Sequence, residues 1–120
     1  MPGVTFHGSV PGERVAELMD SADAVLITSL GFDNQPMVAL EAFSHERPVI
    51  VSDPVLAGEF GEAALLTPTP DAGGLAALMR ELAADRGILS PHRAAALAYA
   101  HDRQPAAHVA RLQQIIASVR

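Results

Sequence analysis

Three short apolar runs in this chain lack the polar–apolar alternation of a strand with one wet face: Ala24 to Thr28, Pro48 to Ser52, and Ala64 to Thr67. A strand that reads as continuously apolar is one covered on both faces, and such strands belong to parallel sheets sandwiched between helices. The segments between and after them carry apolar residues at helical spacing instead. Val15, Leu18, Met19 and Ala22 keep that period after Pro11 and Gly12, with Glu13, Arg14, Glu17 and Asp20 facing outward. Pro36 to about His45 reads as a second helix, with proline placed where a first helical residue lacks an N–H partner. Val4 to His7, stopped by Gly8, reads as a further short strand at the start.

Beyond Thr67 the chain turns helical. Asp71 is a suitable cap for a helix carrying Leu75, Leu78, Met79 and Leu82, Ser90-Pro91 opens another to about Asp102, and Gln104-Pro105 opens a last one through Val119. Glu59 to Glu62 is a short, glycine-broken connection. The order predicts an α/β, Rossmann-like parallel sheet of about four strands with helices on both faces. A single domain is expected over residues 1–120, its sheet part at about 4–68 and its C-terminal helices at about 72–119.

Composition narrows the chemistry. With 49% hydrophobic and 18% charged residues the chain has the apolar content to cover both faces of a sheet. A formal net charge of −6 argues against nucleic acid as a partner. There is no cysteine, hence no disulfide, thiolate metal site or cysteine nucleophile. Every cationic side chain other than histidine is arginine, so Schiff-base chemistry and a lysine phosphate clamp are excluded. The five histidines (His7, His45, His92, His101 and His108) have no ligand spacing, and no metal is expected. No apolar run is long enough to span a bilayer, and the first residues show neither the basic leader nor the apolar core of a signal peptide. A cytoplasmic location is expected, with membrane association left open for a full-length form.

In sheets of this kind ligands sit beyond the carboxyl ends of the strands. Three segments are expected there: Gly8 to Gly12, Ser29 to Gln35, and Ser52 to Phe60. The first is either a plain strand-to-helix turn or a place where backbone approaches a ligand closely. The second leads into a helix start, which favours an anion. Asp33 and Glu41 stand about 12 Å apart along a helix axis, too far for a shared proton or a glycosidase-type carboxylate pair. Glu41 lies in an otherwise apolar helical run, where burial is costly unless the acid has a partner. That partner is either an arginine such as Arg47 or the hydroxyls of a ligand, and Asp33 either caps the helix or contacts the other end of the same ligand.

The segment from Asp33 through Pro36, Val38, Leu40, Glu41 and Ala42 to Pro48-Val49-Ile50 resembles the acid-x7-acid region of retaining glycosyltransferases of the GT-B fold. The pattern is that of the donor-binding C-terminal half of family 4: Glu-x-x-Pro-x-Val-x-Leu-Glu-Ala, then Gly-x-Pro-Val-Ile. Val4 to Val10 is similar to its Val-x-Phe-x-Gly-x-Val segment, Ala22 to Val25 to its Ala-Asp-Val, and Glu59 with Leu65 to Pro68 to its later acid and final strand. The likeness covers Val4 to about Leu82. Asp33 replaces the usual glutamate, Thr28 stands where proline is usual, and His45-Glu46-Arg47 replaces a small-residue and glycine turn.

The resemblance implies that Glu41 takes the ribose hydroxyls of a nucleotide-diphosphate-sugar donor and that Asp33 contacts the transferred sugar, as the catalytic-site acid of this chain. It implies that the backbone at Asn34, Gln35 and Met37 lies against sugar and diphosphate, and that Gly8, Ser9 and Val10 border the base. It implies a metal-independent hexosyl transfer with retention, by front-face attack of an unidentified acceptor, and no cofactor. Two strand–helix units with the arginine and lysine that hold the diphosphate, and the acceptor-binding N-terminal domain, are not recognised in this sequence. The chain is therefore expected to be a truncated half of a GT-B fold, inactive alone, whose partners are the donor, an acceptor and that missing domain. In such a domain the absent strands separate the first strand from the second, so homo-oligomer formation or a strand swap is also expected. The alternative is a non-catalytic, flavodoxin-like or receiver-like binding module. A receiver's acidic cluster and lysine are absent, as is the Gly-x-Ser-x-Gly turn of a hydrolase.

Overall fold

The computed structural model describes residues 2–31 and 36–119. Its elements are α1 (Gly12–Ser21), β1 (Val25–Ile27), α2 (Met37–Ser44), β2 (Val49–Val51), α3 (Pro54–Phe60), β3 (Ala64–Leu66), α4 (Ala72–Ala84), α5 (Leu89–Asp102) and α6 (Pro105–Ser118). Single 3-10 turns, Gly61–Ala63 and Arg86–Ile88, lead into β3 and α5. The three strands form a parallel sheet in the order β1-β2-β3, with Val25, Val49 and Ala64 in register at one end and Ile27, Val51 and Leu66 at the other.

Every residue of β2 is buried, as its unbroken apolar run requires. Val49 and Val51 point into the larger core with Ile27 and Ala64, against Ala39, Ala42 and Phe43 of α2, Leu56 and Phe60 of α3, and Ala96 of α5. Ile50 and Leu65 point the other way, to Leu78 and Leu82 of α4 and to Leu89, the first residue of α5. Helices thus cover both faces of a small parallel sheet, as the alternation predicts.

Three of the expected strands form; Val4 to His7 does not. That segment has no regular secondary structure and pairs with nothing in the sheet, and Phe6 is 87% exposed. A β-rich tetrapeptide becomes a strand only when an edge supplies its hydrogen bonds. The region expected as a loop from Ser52 to Phe60 is largely α3, opened by the Asp53 cap with Pro54 at its first position. Similarly, Ser90-Pro91 lies inside α5, which begins at Leu89 directly after the turn capped by Asp85.

The end of α2 is built with unusual chemistry. The Glu46 amide donates to the Phe43 carbonyl and the Arg47 amide to the Ala42 carbonyl, at 3.0 and 2.9 Å, the paired bonds of a Schellman stop. Glu46 is the residue at positive φ, 59°, at the place where the resemblance puts glycine. Arg47 then reaches α1: its Nε donates to the Met19 carbonyl at 3.0 Å and a terminal nitrogen to the Asp20 carbonyl at 2.7 Å. A cation on the last carbonyls of a helix is favourable for both hydrogen bonding and the helix dipole. His45 Nδ1 lies 2.7 Å from Asp20 Oδ1 beside it.

Glycine is required for a different reason at Gly74. A β-carbon there would collide with the backbone of Thr69, because the Thr69–Asp71 turn folds over the first turn of α4. Glu46→Gly should raise stability by about 1 kcal/mol by relieving a left-handed non-glycine residue, whereas Gly74→Ala should lower it. Thermal denaturation of the two variants beside the wild type measures both signs.

Candidate functional site

The carboxyl ends of the three strands lead to Thr28, Ser52 and Thr67, so a row of hydroxyl residues marks this edge of the sheet. Ser52 and Thr67 are buried, and Thr67 Oγ1 has no hydrogen-bond partner among the described residues. A cavity of about 270 Å3 opens here, lined by Thr28, Ser52, Pro70, Asp71, Ala72 and Leu75.

Asp53 organises this edge. Its Oδ1 accepts the Val55 amide at 2.9 Å, capping α3, while Oδ2 accepts the Gly31 amide at 2.8 Å. One carboxylate at the end of β2 therefore fixes the turn that leaves β1, where Gly31 adopts φ +73°. The Gly31 amide, then the Val55 amide, hold the Asp53 carboxyl below the usual carboxylate range, and burial opposes them. Asp71 is treated alike: the Gly74 amide first, then the Thr69 hydroxyl, lower its carboxyl against the cost of desolvation.

In the sequence Asp53 and Pro54 mark only the end of a strand, and neither the cap nor the bond to a residue 22 positions earlier is readable there. Sequence offers only one signal for it, an acid at the carboxyl end of a central strand next to a glycine-bearing loop.

Of the residues singled out in the sequence, Glu41 and Met37 lie on α2, whose first turn follows this same edge. Glu41 is exposed, which corrects the premise that an acid in this run is buried. The buried face of α2 is Ala39, Ala42 and Phe43, and Glu41 points away from it together with exposed Met37 and Val38. Arg47 is not its partner, being committed to the α1 carbonyls. Gly8 and Ser9 are exposed on the irregular segment before α1, Gly8 with φ +66°, and Val10 is half-buried. Asp33, Asn34 and Gln35 lie outside the described residues.

Most of the arginines are occupied elsewhere. Arg14 pairs with Glu17, Arg93 and Arg86 with Asp23 at 3.2 and 3.7 Å, and Arg103 stacks over the Tyr99 ring at 3.6 Å. His92 Nδ1 meets the Glu62 carbonyl at 2.7 Å, consistent with a structural role.

A parallel α/β sheet with hydroxyls, a capping acid and helix starts gathered at its carboxyl edge places the chain in the Rossmann-like class. The sequence profile of the family described as glycosyl transferases group 1 matches residues 1–85, and the chain belongs to that family. Its role lies in glycosyl transfer, and its three-stranded α/β architecture is consistent with a truncated Rossmann-like half of a GT-B fold. No match was found among curated proteins. Among the described residues no helix is long and apolar enough to cross a membrane.

Because folding lowers the Asp53 and Asp71 carboxyls, their contribution to stability is complete above the ordinary carboxylate pKa of about 4 and is lost as pH falls through the lowered native values. Unfolding midpoints measured from neutral pH downward should therefore fall below about pH 4. Asp53→Asn should lower the neutral-pH midpoint by several degrees and flatten that acid limb.

Proposed function

We propose that this chain is the nucleotide-sugar side of a retaining glycosyltransferase, with the Glu41 carboxylate accepting hydrogen bonds from the ribose hydroxyls of a nucleoside diphosphate sugar. What supports this is the exposure of Glu41 on a helix that starts at the carboxyl edge of the sheet, in a chain of the group 1 family. An ionised carboxylate has only acceptor sites, and vicinal hydroxyls offer two donors at matching spacing. An exposed acid is open to a ligand, which a buried one would not be.

On this reading Met37, at the start of α2, and the backbone before it lie against the sugar and diphosphate, where unpaired N–H groups at a helix start favour negative charge. Gly8, Ser9 and Val10 border the base, glycine permitting close approach. Asp33 contacts the hydroxyls of the transferred hexosyl group. Transfer itself proceeds with retention: the acceptor oxygen bonds to the anomeric carbon on the face from which the diphosphate departs, and the acceptor proton passes to the leaving phosphate. The diphosphate, however, needs cations. The chain has no lysine, and among its arginines Arg14, Arg47, Arg86, Arg93 and Arg103 are engaged away from the site. The isolated chain therefore binds donor weakly and does not turn over; the missing cations and the acceptor site come from other parts of the enzyme.

Titration with uridine, guanosine and adenosine diphosphates, followed by amide chemical shifts, tests the reading. Shifts are expected at Gly8 to Val10 and around Glu41, weaker or absent in Glu41→Ala while the fold is unchanged. Perturbation confined to other regions, or equal binding by Glu41→Ala, would overturn the assignment. Sugar transfer by this polypeptide alone would overturn its inactivity.

A further inference from the structure

Helix α1 has little apolar contact with the rest of the fold. Of its ten residues only Met19 is buried, and Met19 lies in neither of the two cores. One buried side chain pins a point on a helix but leaves the direction of the axis open.

The direction comes from Arg47. Its Nε and one terminal nitrogen donate to the Met19 and Asp20 carbonyls at 3.0 and 2.7 Å, two successive oxygens of the last turn. A planar guanidinium engaged through two nitrogens fixes an angle as well as a distance, which a single ammonium cannot do. His45, two residues earlier, adds a third tie, its Nδ1 lying 2.7 Å from Asp20 Oδ1. Both side chains are aimed by the turn that ends α2, where Glu46 takes φ 59° and the Arg47 amide donates to the Ala42 carbonyl. The clamp thus joins α1 to the helix that carries Glu41.

The other end of α1 is coupled stiffly to Gly8, Ser9 and Val10. Pro11 is the cap residue, at φ −60° and ψ 154°, and its carbonyl accepts the Arg14 and Val15 amides at 2.9 and 3.2 Å. Proline fixes its own φ and restricts the residue before it, so Val10 cannot swing freely away from the helix. About 15 Å of helix separates the clamp from Pro11, so a tilt of roughly 10° displaces that end by about 2.5 Å. Such a displacement is far outside the range that a hydrogen bond tolerates.

We propose that Arg47 is a positioning residue for base recognition: its grip on the last turn of α1 sets where Gly8, Ser9 and Val10 stand relative to Glu41. This rests on the reading above, in which those three residues border the base and Glu41 takes the ribose. Base and ribose are joined by a single bond, so a nucleoside sets a nearly fixed span between its two contacts. The clamp fixes the matching span in the protein. Other parts of the enzyme can steady Val4 to His7 from the front. The clamp works from behind, through α1, and every donor and acceptor in it belongs to this chain.

The test compares two ligands on wild type, Arg47→Lys and Arg47→Met: the tightest-binding of uridine, guanosine and adenosine diphosphates, and ribose 5-phosphate, which lacks a base. Lysine keeps a cation at the helix end but not the fork. In Arg47→Lys the ratio of nucleotide to ribose 5-phosphate affinity should fall by about fivefold. Ligand-induced amide shifts at Gly8 to Val10 should shrink, while those around Glu41 persist. Without ligand, amide hydrogen exchange from Gly8 to Ser21 should quicken in both variants, with the rest of the fold unchanged. An unchanged ratio, equal weakening of both ligands, or unchanged exchange would overturn the proposal. Wild-type binding with no response at Gly8 to Val10 would instead overturn the base assignment, and the role of Arg47 with it.

Discussion

Three aromatic rings hold the larger core together. Phe43 from α2, Phe60 from α3 and Tyr99 from α5 meet with centroids 5.0 to 5.6 Å apart, two pairs edge-on and one tilted. The chain has only four Phe and one Tyr, so most of its aromatic surface is spent at one point. Around it the core is alanine and aliphatic side chains, and Ala39, Ala42 and Ala96 let the helices approach closely. Edge-to-face packing is worth more than area alone, and here it couples three helices that are remote in sequence. Remove it, and α5 loses the contact that brings it back over α2.

The strands were legible because each carries its own signature: an unbroken apolar run between turn residues needs no knowledge of the rest of the chain. The same holds for the caps at Asp71 and Gln104 and for the stop after Ser44. What could not be read were properties that two segments decide together. Val4 to His7 has the composition of a strand, but strand formation depends on an available edge. Helix α2 is apolar nearly all round, so its pattern could not say which side faces the core. Packing chose Ala39, Ala42 and Phe43, one residue past Glu41, and the acid fell on the wet side. The misreading concerned the energetic premise; the residue itself stays the centre of the proposed site.

The same distinction separates Glu41 from Asp53. Glu41 was visible through a motif, although nothing in the fold needs it. Asp53 belongs to no proposed chemistry, yet it joins the ends of β1 and β2 through two backbone amides and so sets where the following loop begins. The proposed donor-binding edge draws on both kinds of residue: one that meets the ligand and one that keeps neighbouring strand ends in a common frame. Only the first is marked by residue type and spacing.

Arg47 holds α1 by carbonyl oxygens, and this shapes how that helix can drift. A grip on side chains would tie particular residues to each other; a grip on main-chain oxygens asks only that the helix persist to Asp20. Of the outward residues of α1, Glu13, Arg14 and Glu17 are accordingly free to vary without releasing the helix, while Asp20 also meets His45. The surface helix next to the segment proposed to border the base is in this way anchored mechanically through its main chain.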